Sequence, residues 1–170
     1  LELRTPPGAP LALGFLLCKP VFVDLIGRHW MAVGPFAYGQ EPAYRNLTPR
    51  EAMEQAVYPP EKMLDLDAPV PLEQAKTVPW TPLGSCHDYI DLRGALGGWL
   101  GSMYYAVTHL YSPRARCVRL NYGMDYYLRL WINGRLVLPF AQGQGVARKG
   151  HFFVDVNLNA GWNQVLVKLA

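Results

Sequence analysis

Through most of the second half of the chain, apolar and polar positions alternate with a period of two, which sends successive side chains to opposite faces of a β-strand. Residues 125–134, DYYLRLWING, show it most clearly. Leu128, Leu130 and Ile132 alternate with Tyr127, Arg129 and Trp131. Asn133-Gly134 follows, a pair that tolerates positive φ and favours the type I′ turn of a tight hairpin. Arg135 to Leu138 form the return strand, and Pro139, with no amide hydrogen to donate, marks where its ladder weakens. A two-residue loop sets Trp131 opposite Leu136, Leu130 opposite Val137 and Arg129 opposite Leu138. Both faces then carry apolar side chains, so the face bearing Trp131, Leu136 and Leu138 requires a cover or a partner.

The same pattern places other strands at Val21 to Ile26, His29 to Val33, Tyr89 to Leu92, Tyr104 to Tyr111, Cys117 to Tyr122, Phe152 to Leu158 and Gln164 to Leu169. In the last two, Val154, Val156 and Leu158 point inward, residues 159–163 turn, and Val165, Val167 and Leu169 point back. Thr48-Pro49-Arg50-Glu51 matches a capping box and predicts one short helix to about Val57, stopped by Pro59-Pro60. Residues 59–82 read as an irregular proline-rich strap. Residues 1–10 carry three prolines without helical period and read as an extended arm, continued by apolar residues that include Leu11, Leu13, Phe15 and Leu16. Short strands at regular spacing, separated by turn signals, indicate an antiparallel sandwich or barrel.

Composition narrows the class. The 170 residues suffice for one domain with a full core, and 51% hydrophobic against 17% charged residues argues against disorder. Net charge is +3, with eleven Arg to five Lys and no basic stripe, so no nucleic-acid site is expected; Arg114, Arg116 and Arg119 read as a solvated strand edge. The apolar run from Ala9 to Cys18 is too short to span a bilayer and lacks the flanks of a signal peptide. The chain begins at Leu1, without an initiator methionine, which reads as either a processed mature protein or a piece of a longer one. Cys18, Cys86 and Cys117 form no CxxC pair; Cys86 and Cys117 could bond if their strands neighbour, and three buried small hydrophobes is the plainer expectation.

Candidate chemistry is sparse. Ser85-Cys86-His87-Asp88 is contiguous, and strand neighbours point to opposite faces, so it does not build a nucleophile triad. His29, His87, His109 and His151 stand apart, without ligand spacing for a metal. Asp65/Asp67 and Asp88/Asp91 read as turn residues, not as carboxylates facing across a cleft. Tyr122, Tyr127, Arg129, Trp131, Asn133, Arg148 and Trp162 supply the aromatic surfaces and hydrogen-bonding groups that a sugar requires. Trp162, in a Gly-Trp-Asn turn, also suits a plug at the end of a sandwich. Asn46-Leu47-Thr48 is a glycosylation sequon, relevant if the protein is secreted.

The order of landmarks resembles a known family. Trp30 to Phe36 (WMAVGPF) resembles its W-x-x-x-G-P-F opening, Pro59-Pro60-Glu61 its P-P-E, and Trp80 its mid-chain tryptophan. Tyr105-Ala106 with Tyr111-Ser112-Pro113, residues 125–134 and Gly161 to Lys168 (GWNQVLVK) resemble its later strands and its ending. This is the galactose-binding-like β-sandwich module found beside catalytic domains in bacterial secreted and surface proteins. The resemblance covers roughly residues 28–170 and implies a jelly-roll of two antiparallel sheets, without catalysis, that binds sugar or packs against other domains. Met124-Asp125 departs from the two adjacent acidic residues common in the family, which argues against a calcium role there. Residues 1–27 lie outside the pattern.

The resulting expectation is an all-β jelly-roll sandwich with one short helix: an arm over 1–27 and a domain over 28–170. It is non-catalytic, needs no cofactor or metal, and acts outside the cell. Tyr127, Arg129, Trp131, Asn133, Arg148 and Trp162 are the carbohydrate-binding candidates. Leu11, Leu13, Phe15, Leu16, Leu136 and Leu138 are the interface candidates, and Asn46 is the glycosylation candidate. The expected partners are other domains, copies of the chain, or glycans, with no membrane span. The alternative is a self-assembling extracellular subunit of a filament or tube, linked through its N-terminal arm.

Overall fold

The computed structural model describes residues 11–12 (backbone only), 29–36, 46–72, 76–84, 90–99, 102–144 and 151–170. The strands are β1 (Leu11–Ala12), β2 (His29–Phe36), β3 (Val70–Pro71), β4 (Thr77–Val78), β5 (Thr81–Gly84), β6 (Met103–Ser112), β7 (Arg116–Tyr122), β8 (Tyr127–Ile132), β9 (Arg135–Gln142), β10 (Phe152–Leu158) and β11 (Gly161–Leu169). A six-stranded antiparallel sheet runs in the order β5-β2-β6-β11-β8-β9. Facing it is a sheet of β1-β7-β10, in which β1 is parallel to β7 and β10 antiparallel. The fold is thus an all-β sandwich. Its inner core is built from alternating residues foreseen in the sequence, Leu128, Leu130 and Ile132, Val165, Val167 and Leu169, and Val156 and Leu158, joined by Val118 and Leu120 of β7.

Two expectations about pairing are corrected. Strands β10 and β11 are not hairpin partners: β10 pairs with β7 in one sheet, and β11 sits between β6 and β8 in the other. Inward alternation is the same whether two strands lie side by side or face each other across a core, so periodicity could not separate the two arrangements. In the β8–β9 hairpin, Trp131 does face Leu136, and Asn133 and Gly134 take φ of 50° and 76°, as a type I′ turn requires. The register then shifts, pairing Leu130 with Leu138 and Leu128 with Ala141. A bulge at Val137 sets Leu138 opposite Leu130, and a second one, where Pro139 and Phe140 face Arg129, sets Ala141 opposite Leu128. Leu138 therefore packs on the inner core, while Leu136 packs on the opposite face.

Among the described residues, three short helices replace the single one expected. Helix α1 (Pro49–Gln55) begins at the capping box, with Glu51 N donating to Thr48 Oγ1 and Thr48 N donating to Glu51 Oε2. Pro59-Pro60 do not only end it: they open α2 (Pro59–Lys62), because proline's fixed φ suits a first helical turn. Leu92 opens α3 (Leu92–Leu96), with Asp91 as N-cap through Gly94 N, so the strand expected over 89–92 is not formed at its described end. The strap after α2 is partly ordered, with β3 paired to β4 and then β5 on the edge of the large sheet.

Asn163 ties two turns together, the β8–β9 turn and the β10–β11 turn. Its side chain is buried; Oδ1 accepts from Asn133 Nδ2 and Asn159 N, and Nδ2 donates to Asn159 O and Gly161 O. Asn133 Oδ1 in turn accepts from Gln164 N. Asn163→Ala strips partners from several of these groups at once, so a loss of about 2–4 kcal/mol is expected in urea unfolding. An unchanged midpoint would show that these bonds do not hold the turns.

Candidate functional site

The outward face of the six-stranded sheet is divided into a covered half and an open half. Along β11 the outward positions are Trp162, Gln164, Leu166 and Lys168; along β6 they are Met103, Tyr105, Val107, His109 and Tyr111; along β8 they are Tyr127, Arg129 and Trp131. A bulge between Val33 and Phe36 of β2 turns both residues to this face. Over one half lie α1, α2 and the residues up to Trp80, which bury Tyr105, Val107, Leu166 and Trp131 beneath Ala52, Met53, Ala56, Tyr58, Val70 and Trp80. The cover that the hairpin required is this part of the same chain.

A single carboxylate anchors that cover. Glu61, on α2, accepts from Lys168 Nζ at 2.9 Å, lies 3.8 Å from the Arg129 guanidinium, and accepts the Tyr105 hydroxyl hydrogen. Lys168 is 0% exposed and also donates to Met53 O and Ala56 O. Arg129 donates to Met53 O and Glu54 O, both at 3.0 Å. Two cations thus share one carboxylate, and the remaining positive charge is met by carbonyls at the C-terminal end of α1, the negative end of its dipole. A charge group removed from water survives only when paired and hydrogen-bonded in this way. The face of Tyr105 also packs edge-on against Phe36 at 5.4 Å.

This geometry corrects part of the sugar platform expected from the sequence. Trp131 is only 7% exposed and Arg129 is engaged below it, so neither is an accessible surface. Tyr122 is buried in the inner core, stacked on Phe152 at 5.7 Å. Tyr127 is half-buried against Phe140 at 5.6 Å. Asn133 is exposed, but its side chain holds the turn. Among the interface candidates, Leu136 and Leu138 are half-buried on the chain's own clusters, and Leu11 belongs to β1, paired with Leu120 of β7. Arg148, Leu13, Phe15 and Leu16 lie outside the described residues, as do Cys18, Cys86 and the candidate strand Val21 to Ile26. Asn46 is exposed just before the capping box. Cys117 is an exposed free thiol and not a buried hydrophobe. Arg119 is clamped by Asp155 at 2.8 and 2.9 Å, which holds that carboxyl below its usual range, and Arg116 donates to Ser112 Oγ.

Trp162 does not plug the sandwich. It is 71% exposed and packs edge-on against Tyr111, itself 48% exposed, with ring centroids 5.4 Å apart. The two are cross-strand partners, and the next pair on the same face is Gln164 opposite His109. Tyr111, His109 and Gln164 were missed as site candidates. The signal was present as a period of two from Val107 through His109 to Tyr111, but it acquires meaning only once the register sets Tyr111 beside Trp162. Lys168 within the apolar run VLVKL was a further signal, since lysine in a buried strand demands a carboxylate.

No protein-family model matches the chain, and no curated protein matches it. Among solved structures, it is similar to β-glucuronidase from Ruminococcus gnavus in complex with D-glucaro 1,5-lactone, at 13% identity and TM-score 0.45 over 92% of this chain. A further crystal structure of the R. gnavus β-glucuronidase gives 14% identity and TM-score 0.44 over 91% of this chain. The chain spans 23% of the length of each of these enzymes.

The Glu61 carboxylate and the two buried tyrosines each lead to a prediction. Glu61→Ala leaves Lys168 and Arg129 buried without their carboxylate and should cost about 3–5 kcal/mol, most of it recovered in Glu61→Leu/Lys168→Met/Arg129→Met, where no charge remains. A single variant as stable as wild type in urea would contradict this. The second concerns alkaline pH. Burial pushes the Tyr122 hydroxyl up to about 12, and burial followed by the charge of Glu61 pushes Tyr105 well above its ordinary value. The folded chain keeps these protons at a pH where unfolded tyrosines, near ~10, have lost theirs, so stability falls as pH rises from about 10 towards 12. Lys168 acts oppositely, because burial lowers its pKa and the folded chain releases that proton first. Tyr122→Phe should flatten the fall in urea midpoint above pH ~10. A slope equal to that of wild type would contradict the assignment.

Proposed function

We propose that this chain is a non-catalytic β-sandwich module of an extracellular protein that recognises carbohydrate through the exposed Tyr111–Trp162 pair. The observation that carries the reading is the position of these rings. They stand on neighbouring central strands, with Trp162 held next to Asn163 and its web of buried hydrogen bonds, so little conformational freedom is lost when a ligand binds. Sugar rings present an apolar face of C–H groups and a rim of hydroxyls. An exposed indole serves the first, and Gln164 and His109, alongside on the same face, serve the second. The likeness of the landmark residues to the galactose-binding-like module favours the same reading.

The alternative of a filament subunit linked through its arm draws no support from Leu11–Ala12, which pair with β7 of their own chain. A glycan array tests the proposal, with Trp99→Ala as a control because Trp99 is 51% exposed and is not a strand residue of this face. Trp162→Ala should weaken binding about tenfold or more, and Trp99→Ala should leave it unchanged. An array blank for the wild-type chain would overturn sugar recognition and leave packing against a neighbouring domain as the use of this surface.

A further inference from the structure

The register of β2 on β6 brings together two histidines that lie far apart in the sequence. Met31 pairs with Val107, Ala32 with Ala106 and Val33 with Tyr105, so the same register, continued two residues past Met31, sets His29 opposite His109. The Thr108 hydroxyl donates to His29 O at 2.9 Å and ties the two strands at this level. Trp30 and Ala32 pack in the inner core and Met31 on the outward cluster, so alternation turns His29 outward. On β6 the same alternation, with Val107 in the outward cluster and Leu110 in the inner core, turns His109 outward. Both histidines are exposed, and neither ring has a hydrogen bond or ion pair among the described residues. Their neighbours in register are Gly84 of β5, which has no side chain to cover His29, and Gln164 of β11, opposite His109.

We propose that His29 and His109 form a two-imidazole site for a divalent transition-metal ion of the copper, nickel and zinc class on the open half of the sheet. Directly opposed residues of antiparallel strands carry Cβ atoms about 4.5–5.5 Å apart, and imidazoles rooted at that spacing can converge on one ion about 2.0–2.1 Å from each nitrogen. Imidazole suits these ions, whereas calcium and magnesium take sets of oxygens. No group of three His, Cys, Asp or Glu side chains suited to a metal occurs among the described residues. Two imidazoles are therefore the protein's anchors; the Gln164 amide, next in register, offers an oxygen, and water completes the coordination. Both ligands stand on strands whose backbone is already fixed by pairing, so little order remains to be imposed when the ion binds. A bound ion cross-links β2 to the central strand β6. The inference is independent of the carbohydrate reading, since it uses neither Tyr111 nor Trp162.

The test titrates the whole chain with nickel chloride and zinc chloride by calorimetry, after alkylation with iodoacetamide so that thiols such as the exposed Cys117 do not compete. One ion should bind per chain, and His29→Ala and His109→Ala should each weaken it about tenfold or more. His151→Ala, an exposed histidine before β10 of the other sheet, should leave it unchanged. Saturating nickel should raise the urea midpoint of the wild-type chain and of His151→Ala, and of neither site variant. Electron paramagnetic resonance of the wild-type chain loaded with one equivalent of copper(II) needs no variant and should show two coordinated imidazole nitrogens. No binding, equal affinity in wild type and both site variants, loss in only one of them, or a single coordinated nitrogen would each overturn the site.

Discussion

The Glu61 carboxylate, enclosed by Lys168, Arg129 and the Tyr105 hydroxyl, is the contact on which the surface of this protein depends. A six-stranded sheet with a core behind it has a second face to dispose of, and here that face is too apolar to be left wholly in water. The chain solves half of the problem by laying α1, α2 and the segment up to Trp80 across it. Apolar contact alone is non-directional and would tolerate sliding of so short a pair of helices. Lys168 rises from the sheet to Met53 O and Ala56 O, and Arg129 to Met53 O and Glu54 O, so the end of α1 is fixed in place by the cations and Glu61 fixes α2. Position is what such a buried polar network supplies, more than net stability.

The other half of the face follows as the remainder. Where the cover ends, the same rows of outward residues continue into solvent, from Leu166 to Gln164 and Trp162 on β11 and from Val107 to His109 and Tyr111 on β6. Trp162 is thus carried on a strand whose other end is locked by Lys168, while its near end is held by Asn163. An exposed indole on such a rigid base, next to its tyrosine partner, is a pre-organised surface, and pre-organisation is what makes a small contact area useful in binding.

Much of the fold was legible in the sequence because its signals are local. Alternation placed β6 to β11 nearly in full, the capping box placed α1, and Asn133-Gly134 placed the hairpin turn together with the Trp131–Leu136 pairing. What was not legible depends on long-range choice. The split of β10 and β11 between two sheets leaves no trace in a period of two, and the bulge at Val137 that turns Leu138 inward has no local sequence signal. The candidate site was half legible for the same reason. Trp131 and Trp162 look alike as aromatic residues among apolar neighbours, and only the packing of α1, α2, Val70 and Trp80 over one of them decides that it is buried. The requirement for a cover could be read from the hairpin, but not that Glu61, some hundred residues before Lys168, would hold it there.

The division of this face can be measured directly by hydroxyl-radical footprinting with mass spectrometry, residue by residue, on wild type and Glu61→Ala. Trp162 and Tyr111 should be oxidised rapidly in both, whereas Trp131 and Tyr105 should be protected in wild type and lose that protection in the variant. Oxidation of Trp131 at the rate of Trp162 in the wild-type chain, or full protection of Trp131 after Glu61 is removed, would contradict the account.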